Sequence, residues 1–174
     1  MVGNPLPAAF FAADAETVAR ALLGRHVVRR NEEGAYKYYV IEETEAYLGP
    51  HDLACHSARG RTRRTETMFG PPGTLYVYLV YGLHLLLNVV VGPPRSGAAV
   101  LIRSAGGVTG PGRLGRVLGL GLDLNGRFAR PDTGLWFAGE PDMKPRVIAT
   151  PRIGVDYAGP DWARRPLRFV RAEA

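Results

Sequence analysis

The chain lacks several features that define whole classes of protein. Its 174 residues contain one cysteine, Cys55, which excludes an internal disulfide bond and a zinc site built from several cysteines. A lone cysteine is usually a small buried apolar residue. The sequence has no run of 18 uninterrupted apolar residues, and Met1 to Pro5 contain no basic segment that leads into an apolar one. We therefore expect a soluble, intracellular protein without a membrane span.

What the chain does contain is typical of a globular domain with many loops. Hydrophobic residues make up 46% and charged residues 22%, with 22 glycines and 14 prolines. The length suits one well-buried core, and neither a repeat nor a low-complexity linker divides the sequence, which predicts a single domain over residues 1–174. The formal charge of +6 and the pI of about 9.8 favour a polyanionic partner.

Positive charge is concentrated in one short glycine-containing stretch. Arg59, Arg61, Arg63 and Arg64 lie close together, with Glu66 as the nearby acidic residue. A guanidinium group is a planar fork that can make paired hydrogen bonds to two phosphate oxygens. The alternative is a solvated basic loop whose charge is offset by surface carboxylates. We favour phosphate binding for this arginine cluster.

Helix and strand signals along the chain predict an α+β fold. Asp14 has the position of a helix N-cap, Gly24 that of a helix end, and Pro111 that of a second helix start. Residues 123–134 are expected to form a loop. Because strands and helices do not alternate, an antiparallel sheet is favoured over a doubly wound one. The predicted strands are 26–30, 36–45, a hairpin over 75–91, 98–103, 135–138, 147–149 and 167–170.

The segment from Leu75 to Val91 has the pattern of a rigid aromatic hairpin. Tyr76 and Tyr78 point to one face of the first strand and aliphatic residues to the other, and Tyr76 is expected to be buried. Gly82 accepts positive φ and allows the chain to reverse. Tyr81 then lies at an exposed tip. It is either an ordinary surface residue or a side chain that inserts into the surface of a partner.

Glu42, Glu43 and Glu45 lie near the end of the second predicted strand. Glu43 and Glu45 share one face of that strand, and Glu42 lies on the other. Strand glutamates most often pair with arginines. With His51 and His56 they form a possible divalent metal site, but the two histidines lie in a loop that fixes no common face. We rank that metal site below a glutamate that acts alone as a general base.

The motifs of the chain form one ordered series. They are Glu43-Thr44-Glu45-Ala46-Tyr47-Leu48-Gly49-Pro50, His56-Ser57, Met68-Phe69, Pro72-Gly73-Thr74-Leu75-Tyr76-Val77-Tyr78, Tyr81-Gly82, Asn88, Val100-Leu101-Ile102-Arg103, Arg152-Ile153-Gly154-Val155 and Trp162-Ala163-Arg164-Arg165-Pro166-Leu167-Arg168-Phe169. In this order they resemble the alkyladenine (3-methyladenine) DNA glycosylase family. The resemblance covers about residues 17–170, and the whole series is far more specific than its first segment alone.

The resemblance implies a role for each matching residue. Glu45 would be the general base that activates water for attack on the sugar carbon, with Arg103 beside it. Tyr47, His56 and Tyr78 would form the pocket that receives the damaged base, since flat aromatic surfaces stack on an extruded base. Tyr81 would fill the gap in the duplex, and Leu83 would intercalate beside it. Asn88 would oppose the exocyclic amine of guanine, and the backbone carbonyl near Ile153 would be a further partner of the water.

The resemblance also implies an overall fold and a substrate. The fold would be one α+β domain with a mainly antiparallel curved sheet, short helices and a protruding β-hairpin. The partner would be double-stranded DNA that contains damaged purines, bound by a monomer without cofactor or metal in the cytoplasm or at the nucleoid. Residues 41–91 contain no lysine that could form a Schiff base with the sugar, so base removal without strand cleavage is expected. Leu83 and His84 are smaller or less aromatic than expected after the tip, which leaves the range of lesions open.

Two other functions remain as alternatives. A non-catalytic nucleic-acid-binding domain would use the same hairpin and would not need Glu45. A metal-dependent hydrolase would use Glu43, Glu45, His51 and His56, and a chelator would inactivate it.

Overall fold

The computed structural model describes residues 3–140 and 145–172. Met1 and Val2, part of the N-terminal segment interpreted above, lie outside these ranges. The α-helices are α1 (Ala8–Phe11), α2 (Ala15–Leu22), α3 (Pro111–Val117) and α4 (Pro160–Arg164). The strands are β1 (His26–Arg30), β2 (Tyr36–Tyr47), β3 (Leu75–Val80), β4 (His84–Val91), β5 (Ala98–Ala105), β6 (Val108–Thr109), β7 (Leu135–Ala138), β8 (Arg146–Thr150) and β9 (Arg168–Ala172).

These strands form one sheet with antiparallel pairings, which confirms the predicted α+β class. The order along the sheet is β3-β4-β5-β2-β1-β7, with β6 beside β5 and with β9 between β2 and β8. Strand β2 is 12 residues long, and its first half pairs with β1. Its second half pairs with β5 on one side and β9 on the other. Side chains from this second half therefore lie in the interior of the sheet.

Helix α2 begins where the sequence predicts. The Asp14 carboxylate accepts hydrogen bonds from the Thr17 N–H at 3.0 Å and from the Thr17 hydroxyl at 2.7 Å. The carbonyl of Ala19 accepts a hydrogen bond from the Thr44 hydroxyl at 2.9 Å, which fastens β2 to the helix. Thr44 thus points toward the helix, and its neighbours in sequence point to the opposite face of the sheet.

The two faces of the sheet differ in chemistry. One face buries aliphatic residues such as Val77, Leu87, Val100 and Ile102 in the main core, together with α2 and Leu114 of α3. The opposite face carries a smaller cluster that contains aromatic side chains of β2 and β3. Polar groups buried on this second face are the candidates for chemistry.

Strands β3 and β4 form the predicted hairpin. Tyr81 and Gly82 have positive φ angles of 52° and 63°, and the Leu83 N–H donates to the Val80 carbonyl at 3.0 Å. This is the geometry of a type I′ turn, which matches the twist of a hairpin. Tyr81 is 95% exposed and Leu83 is 69% exposed. The prediction of an exposed tyrosine at the tip is confirmed.

Several short elements were not predicted. Helices α1 and α4 have only four and five residues, too few for a recognisable period. The stretch predicted as a loop, residues 123–134, overlaps a short 3₁₀ turn at Leu122–Leu124 and contains another at Pro131–Thr133. Cys55 is buried, as expected. In the described part of the chain, none of the helices combines the length and apolarity that a bilayer span requires.

Candidate active site

Four side chains form a row across the second face of the sheet. Tyr76 of β3 lies opposite Asn88 of β4, Asn88 lies opposite Leu101 of β5, and Leu101 lies opposite Glu45 of β2. All four residues are buried, as predicted for Tyr76. The register of four strands thus places Glu45, the expected general base, at one end of an aromatic and apolar surface.

The carboxylate of Glu45 is fully buried among hydrogen-bond donors. Its Oε1 accepts a hydrogen bond from the Ile153 N–H at 2.8 Å and lies 3.5 Å from the Arg103 guanidinium. Its Oε2 accepts one from the Tyr47 hydroxyl at 2.7 Å. Burial raises the pKa of Glu45, and the charge of Arg103 with the two hydrogen bonds only partly opposes that rise. A carboxylate with a raised pKa is a stronger base than an exposed one.

Ile153 contributes a different backbone group from the one expected. The resemblance assigns its carbonyl to the attacking water, whereas the contact in the structure joins its N–H to Glu45. The carbonyl's role toward water stays a prediction. The N–H contact joins residues 108 positions apart, and no local sequence pattern reports it.

Glu43 shares a face with Glu45 but has stronger partners. Its Oε1 accepts hydrogen bonds from Arg168 at 2.6 Å and from Arg103 at 3.1 Å, and its Oε2 accepts one from the Ser104 hydroxyl at 2.7 Å. Burial raises the pKa of Glu43, but these bonds and charges outweigh burial and leave that pKa lowered. Glu43 therefore anchors Arg103, whose guanidinium reaches Glu45. This matches the pairing with arginines expected for a strand glutamate.

The structure brings the three predicted pocket residues together. Tyr47 and Tyr78 pack against one buried cluster that includes Tyr76. The rings of His56 and Tyr78 meet edge to face, with centroids 4.7 Å apart, and Nδ1 of His56 lies 2.9 Å from the Tyr76 hydroxyl. These side chains form an aromatic group beside the Glu45 carboxylate.

Asn88 is held inside this group. Its Nδ2 donates a hydrogen bond to the Tyr76 carbonyl at 3.2 Å, and the side chain is buried. The bond fixes the amide between the aromatic strand and Leu101. Its role toward the guanine amine stays a prediction.

Part of the arginine cluster borders the aromatic group. The Arg64 guanidinium lies 5.7 Å from the centroid of the Tyr78 ring and donates to the Leu79 carbonyl at 3.3 Å. Burial, together with the charges of Arg64 and Arg59, lowers the pKa of His56 to about 4. His56 is therefore uncharged at neutral pH.

Arg61 is the member of the cluster that pairs with acid. Its guanidinium donates to both carboxylate oxygens of Glu66, at 2.7 and 2.6 Å. Both side chains are exposed, so the pair is weak and open to exchange for another anion. Arg59, Arg63 and Arg64 are also exposed. Phosphate binding by the cluster stays a prediction, with Arg61 as its weakest member.

Sequence reasoning missed a buried ion pair next to Glu45. Arg152 donates to the two carboxylate oxygens of Asp52 at 2.6 and 2.9 Å, and both side chains are fully buried. The Arg152 guanidinium also lies 4.8 Å from the centroid of the Tyr47 ring. The only sequence signal for this pair is that each partner lies within or beside a motif of the ordered series.

The residues of the metal alternative have separate partners. His51 meets Trp162 edge to face at 5.9 Å, whereas His56 contacts Tyr76. Among residues 3–140 and 145–172, no group of three or more His, Cys, Asp or Glu side chains is arranged to hold a metal ion. The site proposed from Glu43, Glu45, His51 and His56 is therefore not assembled.

The sequence of the chain is similar to those of many known proteins. A sequence model of the family described as methylpurine-DNA glycosylase (MPG) matches residues 9–109 and 105–174. The chain belongs to the methylpurine-DNA glycosylase family. Three relatives, each named "Putative 3-methyladenine DNA glycosylase", are from Myxococcus xanthus (47% identical over 95% of this chain and 89% of the relative), Anaeromyxobacter dehalogenans (45%, over 95% and 82%) and Legionella pneumophila (42%, over 94% and 92%).

Membership in the methylpurine-DNA glycosylase family confirms the resemblance drawn from the motifs. The chain is a DNA repair glycosylase of base excision repair, an N-glycosyl hydrolase whose substrate is DNA. Neither the non-catalytic binding domain nor the metal-dependent hydrolase is favoured by these findings.

Proposed function

We propose that the chain rotates a damaged purine out of duplex DNA and hydrolyses its N-glycosidic bond with a water that Glu45 deprotonates. The products are a free base and an abasic site in an intact strand. The proposed substrates are alkylated or deaminated purines, and a monomer suffices because the site is built from one chain. The observation that carries this proposal is a fully buried Glu45 carboxylate at the end of the aromatic row.

The hydrogen bonding of Glu45 leaves an acceptor position that a water can use when substrate is bound. A carboxylate offers about four acceptor positions. The Ile153 N–H donates to Oε1, which the Arg103 guanidinium also faces at 3.5 Å, and the Tyr47 hydroxyl occupies one position on Oε2. A water that donates to the remaining position can pass its proton to Glu45 as its oxygen bonds to the sugar carbon and the C–N electron pair leaves with the base. The ionised carboxylate also stabilises positive charge that develops on the sugar.

The aromatic group supports extrusion of the base. Removing a base from the stack costs roughly a few kcal/mol, and stacking on an aromatic side chain returns roughly 1–3 kcal/mol per base. Tyr47 and Tyr78 are the proposed walls. Tyr81, exposed on a tight turn, is the proposed plug for the vacated position, with Leu83 beside it.

The properties of His56 favour cationic lesions. Purines alkylated on a ring nitrogen carry positive charge and leave without an acid. Because the pKa of His56 is lowered to about 4, this side chain is a neutral hydrogen-bonding partner rather than an acid at neutral pH. Residues 41–91 also contain no lysine, so the proposed reaction is hydrolysis without a Schiff base.

The test compares Glu45→Gln with Glu43→Gln. The amide keeps the shape of Glu45 but cannot take a proton from water, so single-turnover base release should fall by roughly 10²–10⁴-fold. Affinity for damaged duplex should stay within a few-fold. Glu43→Gln should lose less activity and should lower the melting temperature, because it weakens the anchor of Arg103. Near-normal turnover in Glu45→Gln, with an inactive Glu43→Gln, would move the role of the base to Glu43.

A further inference from the structure

We propose that the buried Asp52–Arg152 pair is a positioning pair for catalysis. It holds in place the two groups that donate hydrogen bonds to Glu45, the N–H of Ile153 and the hydroxyl of Tyr47. This inference rests on the proposed function, because it takes Glu45 as the base.

The pair ties together three segments around the site. Besides its two bonds to Asp52, Arg152 donates to the Ala46 carbonyl at 3.0 Å. The Asp52 carboxylate also accepts hydrogen bonds from the backbone N–H groups of Leu48 and Ala54, both at 3.0 Å. The pair thereby joins the end of β2, the loop that follows it and the loop that follows β8. Movement of any one segment would break charged hydrogen bonds in the interior.

Each side of Arg152 reaches a group that contacts Glu45. Along the chain, the next residue is Ile153, whose N–H donates to Oε1 at 2.8 Å. Across space, the guanidinium covers one face of the Tyr47 ring, whose hydroxyl donates to Oε2 at 2.7 Å. The opposite face of that ring is the proposed stacking surface for the base. One side chain therefore supports both hydrogen bonds to the carboxylate and one wall of the pocket.

Stability alone does not explain the pair. The desolvation penalty of a buried ion pair often exceeds the attraction between its charges, and apolar side chains of similar volume are frequently as good or better. Nε of Arg152 is also buried and, within the described residues, has no hydrogen-bond partner. A buried N–H without a partner is destabilising. Arrangements that sacrifice stability in this way are expected at functional sites.

The charge of Arg152 provides a readout that a purely structural role would not change. Burial raises the pKa of Glu45, and the positive charge of Arg152 is one of the influences that oppose this rise. Glu45 must be ionised to act as a base, so the rate falls as the pH drops through its pKa. Removing the charge and loosening the Ile153 N–H raises that pKa, and the acidic limb of the rate profile moves to higher pH.

The experiment measures single-turnover release of methylpurines from methylated duplex DNA by Arg152→Gln over the acidic to neutral range. These cationic purines need no acid to leave, so the acidic limb of the rate profile reports the ionisation of Glu45. We expect this limb to move up by roughly half a pH unit or more. The plateau rate should fall roughly 10²-fold through misplacement of the donors. Affinity for damaged duplex should change only a few-fold.

Arg29→Gln is the matched control. Arg29 donates to the carbonyls of Leu118, Gly134 and Gly119, at 2.7, 3.0 and 3.2 Å, and none of these groups belongs to the site. It should lower the melting temperature and leave the acidic limb unchanged. A shift of the limb in this variant equal to that in Arg152→Gln would overturn the positioning role.

Two further variants separate the possible failures. Substantial turnover in Glu45→Gln would overturn the proposed function itself. If Glu45→Gln is inactive but a folded Arg152→Gln keeps the acidic limb and the plateau rate of the wild type, only the positioning role is overturned. If Arg152→Gln does not fold, Asp52→Asn keeps the shape and one acceptor oxygen. Its plateau rate should fall without loss of affinity, and a wild-type plateau would overturn the proposal.

Discussion

At the scale of single residues, the environment distinguishes two glutamates that the sequence places two positions apart. Two arginines and a hydroxyl contact Glu43 and lower its pKa, whereas burial dominates at Glu45 and raises its pKa. The first carboxylate stays ionised and fixed. The second can exchange a proton closer to neutral pH, and such a division of roles is typical of paired carboxylates in active sites.

Asn88→Ser should relax discrimination against guanine-type bases. The shorter side chain removes the group proposed to clash with a 2-amino substituent, which hypoxanthine lacks. Excision of 7-methylguanine relative to hypoxanthine should rise roughly tenfold. Competition between the two lesions in otherwise identical duplexes measures this ratio.

The control for Asn88→Ser is Asn125→Ser. Asn125 also bonds the backbone of β3, since its Oδ1 accepts the Val77 N–H at 3.1 Å, but it does so from outside the row. Its excision ratio should match that of the wild type. An unchanged ratio in Asn88→Ser would assign Asn88 a structural role only, through its bond to the Tyr76 carbonyl.

At the scale of the element, the β3–β4 hairpin presents Tyr81 in a costly conformation. Its φ of 52° lies in the left-handed region, which is uncommon for residues other than glycine and costs roughly 1 kcal/mol or more. The ring is 95% exposed, so packing within the protein does not offset that cost. The conformation is understandable if the tip is shaped for a partner.

Tyr81→Ser should weaken capture of the extruded base by roughly tenfold, the equivalent of one lost stacking contact. The defect should be larger for a lesion opposite its stable pairing partner than for the same lesion in a mismatch, because the plug matters most where extrusion is costliest. Affinity and single-turnover rates on the two duplexes measure this difference. The control is Tyr36→Ser, which removes an exposed tyrosine at the start of β2 and should affect both duplexes equally. An equal Tyr81→Ser defect on the paired and the mismatched duplex would argue against insertion into the stack.

The arginine cluster should act on all DNA alike. Arg59→Ala or Arg63→Ala should weaken damaged and undamaged duplexes to a similar extent. Each lost phosphate contact should flatten the plot of log affinity against log salt by about 0.9. Titrations at several salt concentrations test this, with Arg20→Ala on α2 as a control for loss of one exposed positive charge. An unchanged slope would identify Arg59 and Arg63 as solvated loop residues.

At the scale of the whole molecule, local patterns predicted the longer elements but not which distant elements meet. The Asp14 cap, the β3–β4 hairpin and the shared face of Glu43 and Glu45 each depend on residues close in sequence, and each is confirmed. Periodicity reports which side of a strand is buried, but it does not identify the neighbouring strand.

The contacts that complete the site are the ones that sequence could not supply. The Asp52–Arg152 pair joins residues 100 positions apart, and the bond from the Ile153 N–H to Glu45 spans 108. Arg168 reaches Glu43 because β9, although near the end of the sequence, pairs with β2. These groups contact or border Glu45 and Glu43, and the motif alone proposes Glu45 as the base.

The most direct test of hydrolysis by Glu45 without metal or amine is an assay of products. Purified protein in EDTA is incubated with a duplex that carries one methylated purine, and the free base and the DNA strand are measured before and after alkali. We predict stoichiometric release of free base by the wild type, a strand that breaks only after alkali, and no detectable release by Glu45→Gln within the time that the wild type needs. Release that EDTA abolishes, strand breakage without alkali, or normal release by Glu45→Gln would contradict this mechanism.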